Sequence, residues 1–312
     1  MRTVNWRELY ASNRAVIEGA ERTTIVAGKT HRAVVHTPAG VDPGTALPLV
    51  CMLHGCTQDA ASFAAATRMN EAADRHGFIV VYPQQDRGQN PQGCWNWFAP
   101  RHQARGAGEP AAIAAIVREL IGTTSPLAID ARRVFVAGMS AGGAMAAILG
   151  ATYPDLFTAV AVHSGLAYRS ATSVVTAFTA MARGGGDPAA IGELTRPVPS
   201  IVVHGTGDRT VAPTNGHQVL AQAMAANRRA APDRCEFDIT SPTSTSQGRV
   251  DGGHAYERSC WTDRRGALMH ESLKVEGLGH AWSGGLPGGS YTDPRGPDAT
   301  EAIWRFFAAV PR

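Results

Sequence analysis

Residues 134–149 read VFVAGMSAGGAMAAIL, and this one stretch restricts the possible folds more than any other. Val134–Ala137 is a short apolar run rich in β-branched residues, the composition of a strand buried on both faces. Ala141–Leu149 is a run of small residues, suited to a helix that packs close to a sheet. Gly138-Met139-Ser140-Ala141-Gly142 lies between them, so the chain must turn from strand to helix where the flanking positions leave no room for side chains. Such a turn thrusts Ser140 above the sheet at the N-terminal end of the helix, where unpaired N–H groups favour a developing negative charge. A strand that feeds directly into a helix belongs in a mostly parallel sheet covered by helices.

The rest of the chain repeats this alternation. Apolar runs at Leu47–Leu53, Phe78–Tyr82, Val134–Ala137, Ala159–Val162 and Ile201–Val203 predict strands, with a last one between Leu268 and Val275. Ile113, Ile116, Val117, Leu120 and Ile121 recur at one-face helical spacing, with Pro110 suited to the first turn and Gly122 to the end. Further helices are expected at Ala141–Leu149, His217–Ala226 and Ala302–Ala309, and an edge hairpin around Arg32–His36. Trp6, Leu9, Tyr10, Val16 and Ile17 fall near helical spacing and predict a short packed N-terminal helix. The 312 residues are expected to form one α/β domain, 1–312, carrying loop insertions at 84–109 and 241–262. Long loops in a compact domain are usually functional or disordered; the first insertion holds Trp95, Trp97 and Phe98, and its tryptophans argue for a functional one.

Composition removes several classes of function. With 29 basic against 26 acidic residues and no block of like charge, nothing supports a nucleic-acid partner. No run of 18 apolar residues is present, so no membrane span is expected. The N-terminus also lacks the continuous apolar core of a secretion signal. Five cysteines occur, none in a C-x-x-C pair, so neither a zinc nor a redox site is expected, and no metal or other cofactor. The odd count fits two disulfides and one buried thiol: Cys56–Cys94 and Cys235–Cys260 as the pairs, Cys51 as the thiol in its apolar run. Five unpaired thiols is the alternative.

A serine hydroxyl is a weak nucleophile until an oriented base takes its proton. Ile201–Val203 runs through His204-Gly205-Thr206-Gly207 into Asp208, which delivers a carboxylate at the C-terminal rim of a strand, where Ser140 must also lie. Asp187, Asp233 and Asp251 follow no such strand. Of the histidines downstream, His217 belongs to a helix and His270 to a strand, while His254 stands in the Gly/Ser-rich insertion as a weaker competitor. His280, in Gly277-Leu278-Gly279-His280-Ala281-Trp282, occupies the loop between the last strand and the last helix. Ser140, Asp208 and His280 therefore form the expected catalytic triad, in the chain order of the α/β-hydrolase fold. The expected oxyanion donors are the backbone N–H groups of Ala141 and of Cys56, in the His54-Gly55-Cys56-Thr57-Gln58 turn. A Cys56–Cys94 bridge would stiffen the second donor. Trp95, Trp97, Phe98 and Trp282 are candidates for an apolar substrate groove, Trp282 foremost because it lies two residues from the base; core packing is the alternative for Trp95 and Trp97. His102 is expected to face either the cleft or solvent.

HGCTQ, CWNWF, the GEP at Gly108–Pro110, GMSAGG, HGTGD and GHAWSGG occur here in one order. Over Leu47–Gly285 the chain resembles the polyhydroxybutyrate depolymerase family of esterases, a neighbour of the feruloyl and acetylxylan esterases. The resemblance implies the same triad and oxyanion positions, supports the Cys56–Cys94 pair and carries an extracellular or periplasmic location as its expectation. Residues 1–40 match poorly; with neither a signal sequence nor a separate polymer-binding domain after the triad, the expectation is action on short chains of hydroxy-acid esters rather than on solid polymer granules. The expected activity is hydrolysis, through an acyl-enzyme, of an ester or polyester with short acyl or 3-hydroxyacyl groups. A feruloyl or acetylxylan esterase is the alternative; a serine peptidase, an acyltransferase or a non-catalytic binding protein stands further off.

Overall fold

The computed structural model describes residues 20–26, 29–41, 44–122, 127–187 and 189–311, with side chains from His31 onward. The helix expected around Trp6–Ile17 lies outside the described residues.

Among the described residues ten strands form one sheet: β1 (Ala20–Val26), β2 (Lys29–His36), β3 (Leu47–Leu53), β4 (Ile79–Gln84), β5 (Ile129–Met139), β6 (Ala159–His163), β7 (Ser200–Gly205), β8 (Ser244–Arg249), β9 (Ala255–Thr262) and β10 (Leu268–Val275). Their order is β1-β2-β4-β3-β5-β6-β7-β10-β9-β8. The centre, from β4 to β10, is parallel, and an antiparallel pair extends each edge. The 241–262 segment supplies one of those extensions as the β8–β9 hairpin, paired through Ser244↔Cys260 and Arg249↔Ala255.

Alternation along the central strands feeds two cores. On β3, Leu49, Cys51 and Leu53 face one layer while Val50 and Met52 face the other. The first layer takes the helices α3 (Gly108–Ile121), α4 (Ala141–Thr152), α5 (Val174–Arg183) and α6 (Thr214–Ala230). The second takes α1 (Ala60–Thr67), α2 (Met69–His76) and α7 (Ala299–Ala309). Every residue of β3 is buried, as continuous apolar runs in a sheet covered on both sides require. Each large side chain removed from water in this way contributes roughly 1.5–3 kcal/mol. Helices α1, α2 and α5 escape the sequence pattern because they are short; α1 and α5 start instead from capping boxes at Asp59/Ser62 and Ser173/Thr176.

The long 84–109 loop is ordered by one buried carboxylate. Glu109 accepts from Gln85 Nε2 at 2.6 Å, Asn96 N at 2.7 Å and Asn96 Nδ2 at 2.6 Å. Burial pushes its pKa up against those three donors. His102 faces neither cleft nor open solvent: its Nδ1 accepts the Glu109 N–H at 3.0 Å.

The cysteine expectation needs one correction. Cys56 and Cys94 are disulfide-bonded, but Cys235 and Cys260 are both free and buried, as is Cys51. The period-2 geometry of β9 explains why. Trp261 points into the first core, to which Cys235 and Met269 also belong, so the neighbouring Cys260 points to the opposite face. There its Sγ lies 3.9 Å from the Glu271 carboxylate, which Arg258 and Arg305 pair at 2.7 and 2.8 Å.

Candidate active site

Strand register assembles the site. Gly138 on β5 pairs with Leu53 at the end of β3, and Met139 pairs with His163 at the end of β6. The residue after Met139 therefore emerges between the His54–Gln58 turn on one side and Ser164 on the other. Ser140 takes φ 56° and ψ −121°, the strained corner that the Gly-flanked motif implies, and its N–H donates to His163 O at 3.0 Å. A Cβ on Gly142 would collide with Leu53 O and one on Gly138 with Gly142 O, so both glycines are steric necessities.

The three expected triad side chains meet. His280 Nε2 lies 2.9 Å from Ser140 Oγ, and His280 Nδ1 lies 2.8 Å from Asp208 Oδ2. The serine hydroxyl thus donates to Nε2, and Nδ1–H donates to the carboxylate. Asp208 Oδ1 accepts the N–H groups of Thr210 and Val211, each at 2.9 Å. Burial pushes the Asp208 pKa up, but His204, His280 and the Val211 N–H outweigh it and hold the carboxyl well below the ordinary range. His254 is no rival for the base: its Nε2 pairs with Asp293 at 3.0 Å, not with Asp208.

Gly55, the residue before Cys56, lies beside the nucleophile: a Cβ added to it would be 3.5 Å from Ser140 Cβ. Cys56 follows it in the same turn. Its neighbours are held on both sides: Gly55 N donates to Gln58 Oε1 at 2.9 Å, and Thr57 N donates to Gln92 O at 2.7 Å. Ala141 opens α4, so its N–H is among those at the helix N-terminus that have no partner within the helix.

The aromatic candidates are placed otherwise than expected. Trp282 is 1% exposed. It packs edge-on against Phe63, stacks on His163 with centroids 4.8 Å apart, and donates Nε1–H to Thr300 Oγ1 at 3.1 Å. It has no face to offer a groove; sequence proximity to His280 misled because β11 (Trp282–Ser283), paired with β12 (Thr292–Asp293), turns the indole inward. Trp95 and Trp97 are likewise buried in the first core, Trp95 against His54 and Trp97 against Phe98.

Two histidines and a tyrosine join the site without having been singled out. His163 is fully buried; its backbone O holds the Ser140 N–H, and its Nε2 accepts the Ser283 N–H at 3.1 Å. That leaves its ring proton on Nδ1, toward Ser164 Oγ at 3.2 Å. One residue thus ties the nucleophile's corner to the base's loop. Burial, with smaller effects from His204 and His280, pulls the His163 pKa down to about 3. His204 donates to Val211 O at 2.9 Å and approaches Asp208 Oδ2 at 3.5 Å, bracing the turn that carries the acid. Tyr291 stands half exposed with its ring 6.3 Å from that of His280. The HGTGD motif hinted at His204; a lone tyrosine eleven residues beyond the base gave no pattern to notice.

A mostly parallel sheet with helices on both faces, a strained serine corner, and a serine, an aspartate and a histidine that follow one another along the chain and meet in space define the α/β-hydrolase fold. The sequence profile described as Esterase PHB depolymerase matches residues 34–232, and the chain belongs to that family. Poly(3-hydroxyalkanoate) depolymerase C of Paucimonas lemoignei is 36% identical over 255 residues, covering 78% of this chain and 57% of the relative. Poly(3-hydroxybutyrate) depolymerase of Ralstonia pickettii is 29% identical over 253 residues, covering 77% and 49%. The chain therefore spans about half the length of the curated relatives it matches. Among solved structures, the acetyl xylan esterase from Aspergillus awamori superposes with a TM-score of 0.72 at 21% identity, over 93% of this chain and 100% of that one, a likeness of fold.

Proposed function

We propose that the protein is a serine carboxylic ester hydrolase that cleaves esters of short acyl or 3-hydroxyacyl groups, polyesters of hydroxy acids among them, through an acyl-enzyme. The observation that carries this reading is the continuous relay from Ser140 Oγ to His280 at 2.9 Å and from His280 to Asp208 at 2.8 Å. His280 takes the serine proton as Oγ attacks the ester carbonyl, while Asp208 holds the imidazole in the competent tautomer and stabilises its charged form. The N–H groups of Ala141 and Cys56 receive the oxyanion. Donors fixed in place before the charge develops need no reorganisation, and each is worth roughly 3 kcal/mol in comparable sites. Collapse expels the alcohol, protonated by His280, and water repeats the sequence on the acyl-enzyme. The depolymerase relatives support hydroxy-acid esters as the substrate class. The Cys56–Cys94 disulfide beside the nucleophile supports an oxidising, extracellular or periplasmic site of action. Among the described residues no helix is long and apolar enough to cross a membrane.

The test is release of 3-hydroxybutyrate from amorphous polyhydroxybutyrate, with methyl ferulate and acetylated xylan in parallel and Ser140→Ala as the blank. Release from the polyester that the blank lacks is the expected result. Turnover of a plant-type ester alone would move the substrate class, and equal release by the blank would overturn the triad.

A further inference from the structure

Tyr291 is one of the few large apolar side chains among the described residues that remain exposed, at 47%, and it stands at the catalytic centre. Its ring meets the His280 ring nearly edge-on, with centroids 6.3 Å apart at 80°. Its hydroxyl lies 3.4 Å from Thr57 Oγ1, which belongs to the residue following Cys56 and donates to Cys56 O at 2.6 Å. The tyrosine therefore borders the base and the oxyanion turn at once.

The backbone there is strained. Tyr291 has φ 52°, a left-handed conformation unfavourable for an aromatic residue, and Thr57 opposite has φ 63°. Several contacts impose it. Tyr291 O accepts the Trp282 N–H at 2.7 Å, Ser290 O accepts from Gln58 Nε2 at 3.0 Å, and Thr292 pairs with Trp282 in register. Strain that the surroundings over-determine, at a site, points to a role for the side chain it presents.

Resting on the esterase reading above, we propose that Tyr291 is a substrate-contacting specificity residue forming the wall of the leaving-group side of the cleft. The side follows from proton transfer. The departing alcohol oxygen must come within hydrogen-bond reach of His280 Nε2, so the alcohol half of the ester lies against His280 and the acyl half runs away from it. A half-exposed phenol ring edge-on to His280 packs on the alcohol half. A large or apolar alcohol gains area against the ring; a methyl group gains almost none.

The experiment compares 2-naphthyl butyrate with methyl butyrate, which share one acyl-enzyme and differ only in the alcohol. Each variant is scored against wild type on the same ester, so intrinsic leaving-group reactivity cancels. Tyr291→Ala is expected to lower kcat/KM for the naphthyl ester roughly tenfold, through KM, and for the methyl ester less than about twofold. The single-turnover deacylation rate of the butyryl-enzyme is expected to stay unchanged, because the alcohol has already left. Tyr291→Phe should keep the preference. Tyr291→Gly, which fits the left-handed backbone, should lose the preference without a lower melting temperature, separating contact from structural damage. Equal losses on both esters, or a slower deacylation, would overturn the assignment, and a Phe variant as impaired as Ala would make the hydroxyl, not the ring, the acting group. A wild-type protein inert on both esters would refute the esterase reading instead and take this inference with it.

Discussion

Replacing Trp282 distinguishes a groove wall from a core residue, because the two make opposite predictions. As a wall, the indole would be trimmed with a rise in KM and no loss of stability. The structure instead buries it to 1% exposure between Phe63 and His163, with Nε1–H on Thr300 Oγ1. Trp282→Phe keeps an aromatic plate in that slot, removes the indole hydrogen bond and leaves a small gap, a cost of about 1–2 kcal/mol. Trp282→Ala opens a full cavity at about 3–5 kcal/mol. In a chain of 312 residues each kcal/mol lowers the melting temperature by about 2 °C, so the expected drops are about 2–4 °C and about 6–10 °C. Turnover should fall with stability, since the indole lies two residues from His280 and stacks on the histidine that holds the Ser283 N–H. That loss should appear in kcat, with KM for a small ester such as 4-nitrophenyl acetate little changed. Calorimetry and steady-state kinetics on the two variants settle the matter. A Trp282→Phe protein that melts with wild type while its KM rises several-fold would refute the core assignment.

Asp208→Asn should preserve the fold yet lower kcat by about 10⁴, because the amide stabilises the wrong imidazole tautomer; steady-state kinetics retaining more than a tenth of wild-type kcat would contradict the relay. Thiol titration of the denatured, unreduced protein should find three thiols, Cys51, Cys235 and Cys260, and five after reduction. One thiol before reduction would mean that Cys235 and Cys260 pair after all. Cys94→Ser should cost up to about 4 kcal/mol of stability for a loop closed across 38 residues, and turnover should fall because the Cys56 donor loosens; an unchanged melting curve would refute this. Burial pulls both His163 and His270 down to about 3, below their unfolded value near 6.5. Between those limits the unfolded chain binds protons that the folded chain refuses, so stability should fall as pH drops from about 6.5 toward 3. His270→Gln should flatten that fall by up to one proton, about 1.4 kcal/mol per pH unit, in urea titrations at successive pH values; an identical slope would show that His270 is not the group responsible.

The meeting of Ser140, Asp208 and His280 was legible because each sits in a local pattern with a mechanical meaning. Ser140 needs glycines about it where strand becomes helix, Asp208 ends a buried strand, and His280 occupies a glycine-flanked loop before the last helix. The central strands were legible for a similar reason: residues buried on both faces leave an unbroken apolar run, so Leu47–Leu53 declares itself without reference to any neighbour. Tertiary structure decided whatever depends on which face a side chain takes or which distant segment it meets. The β8–β9 hairpin turned Cys260 away from Cys235, and the β11–β12 pairing turned Trp282 into the core. Strand register set His163 under both Ser140 and Ser283, and the return of residues 284–291 over the Gln58 turn brought Tyr291 to His280. The meetings of His163 with Ser283 and of Thr57 with Tyr291, across 120 and 234 residues, leave no local trace, because such contacts are selected by packing of the whole chain, while composition and periodicity report only on a few neighbouring turns.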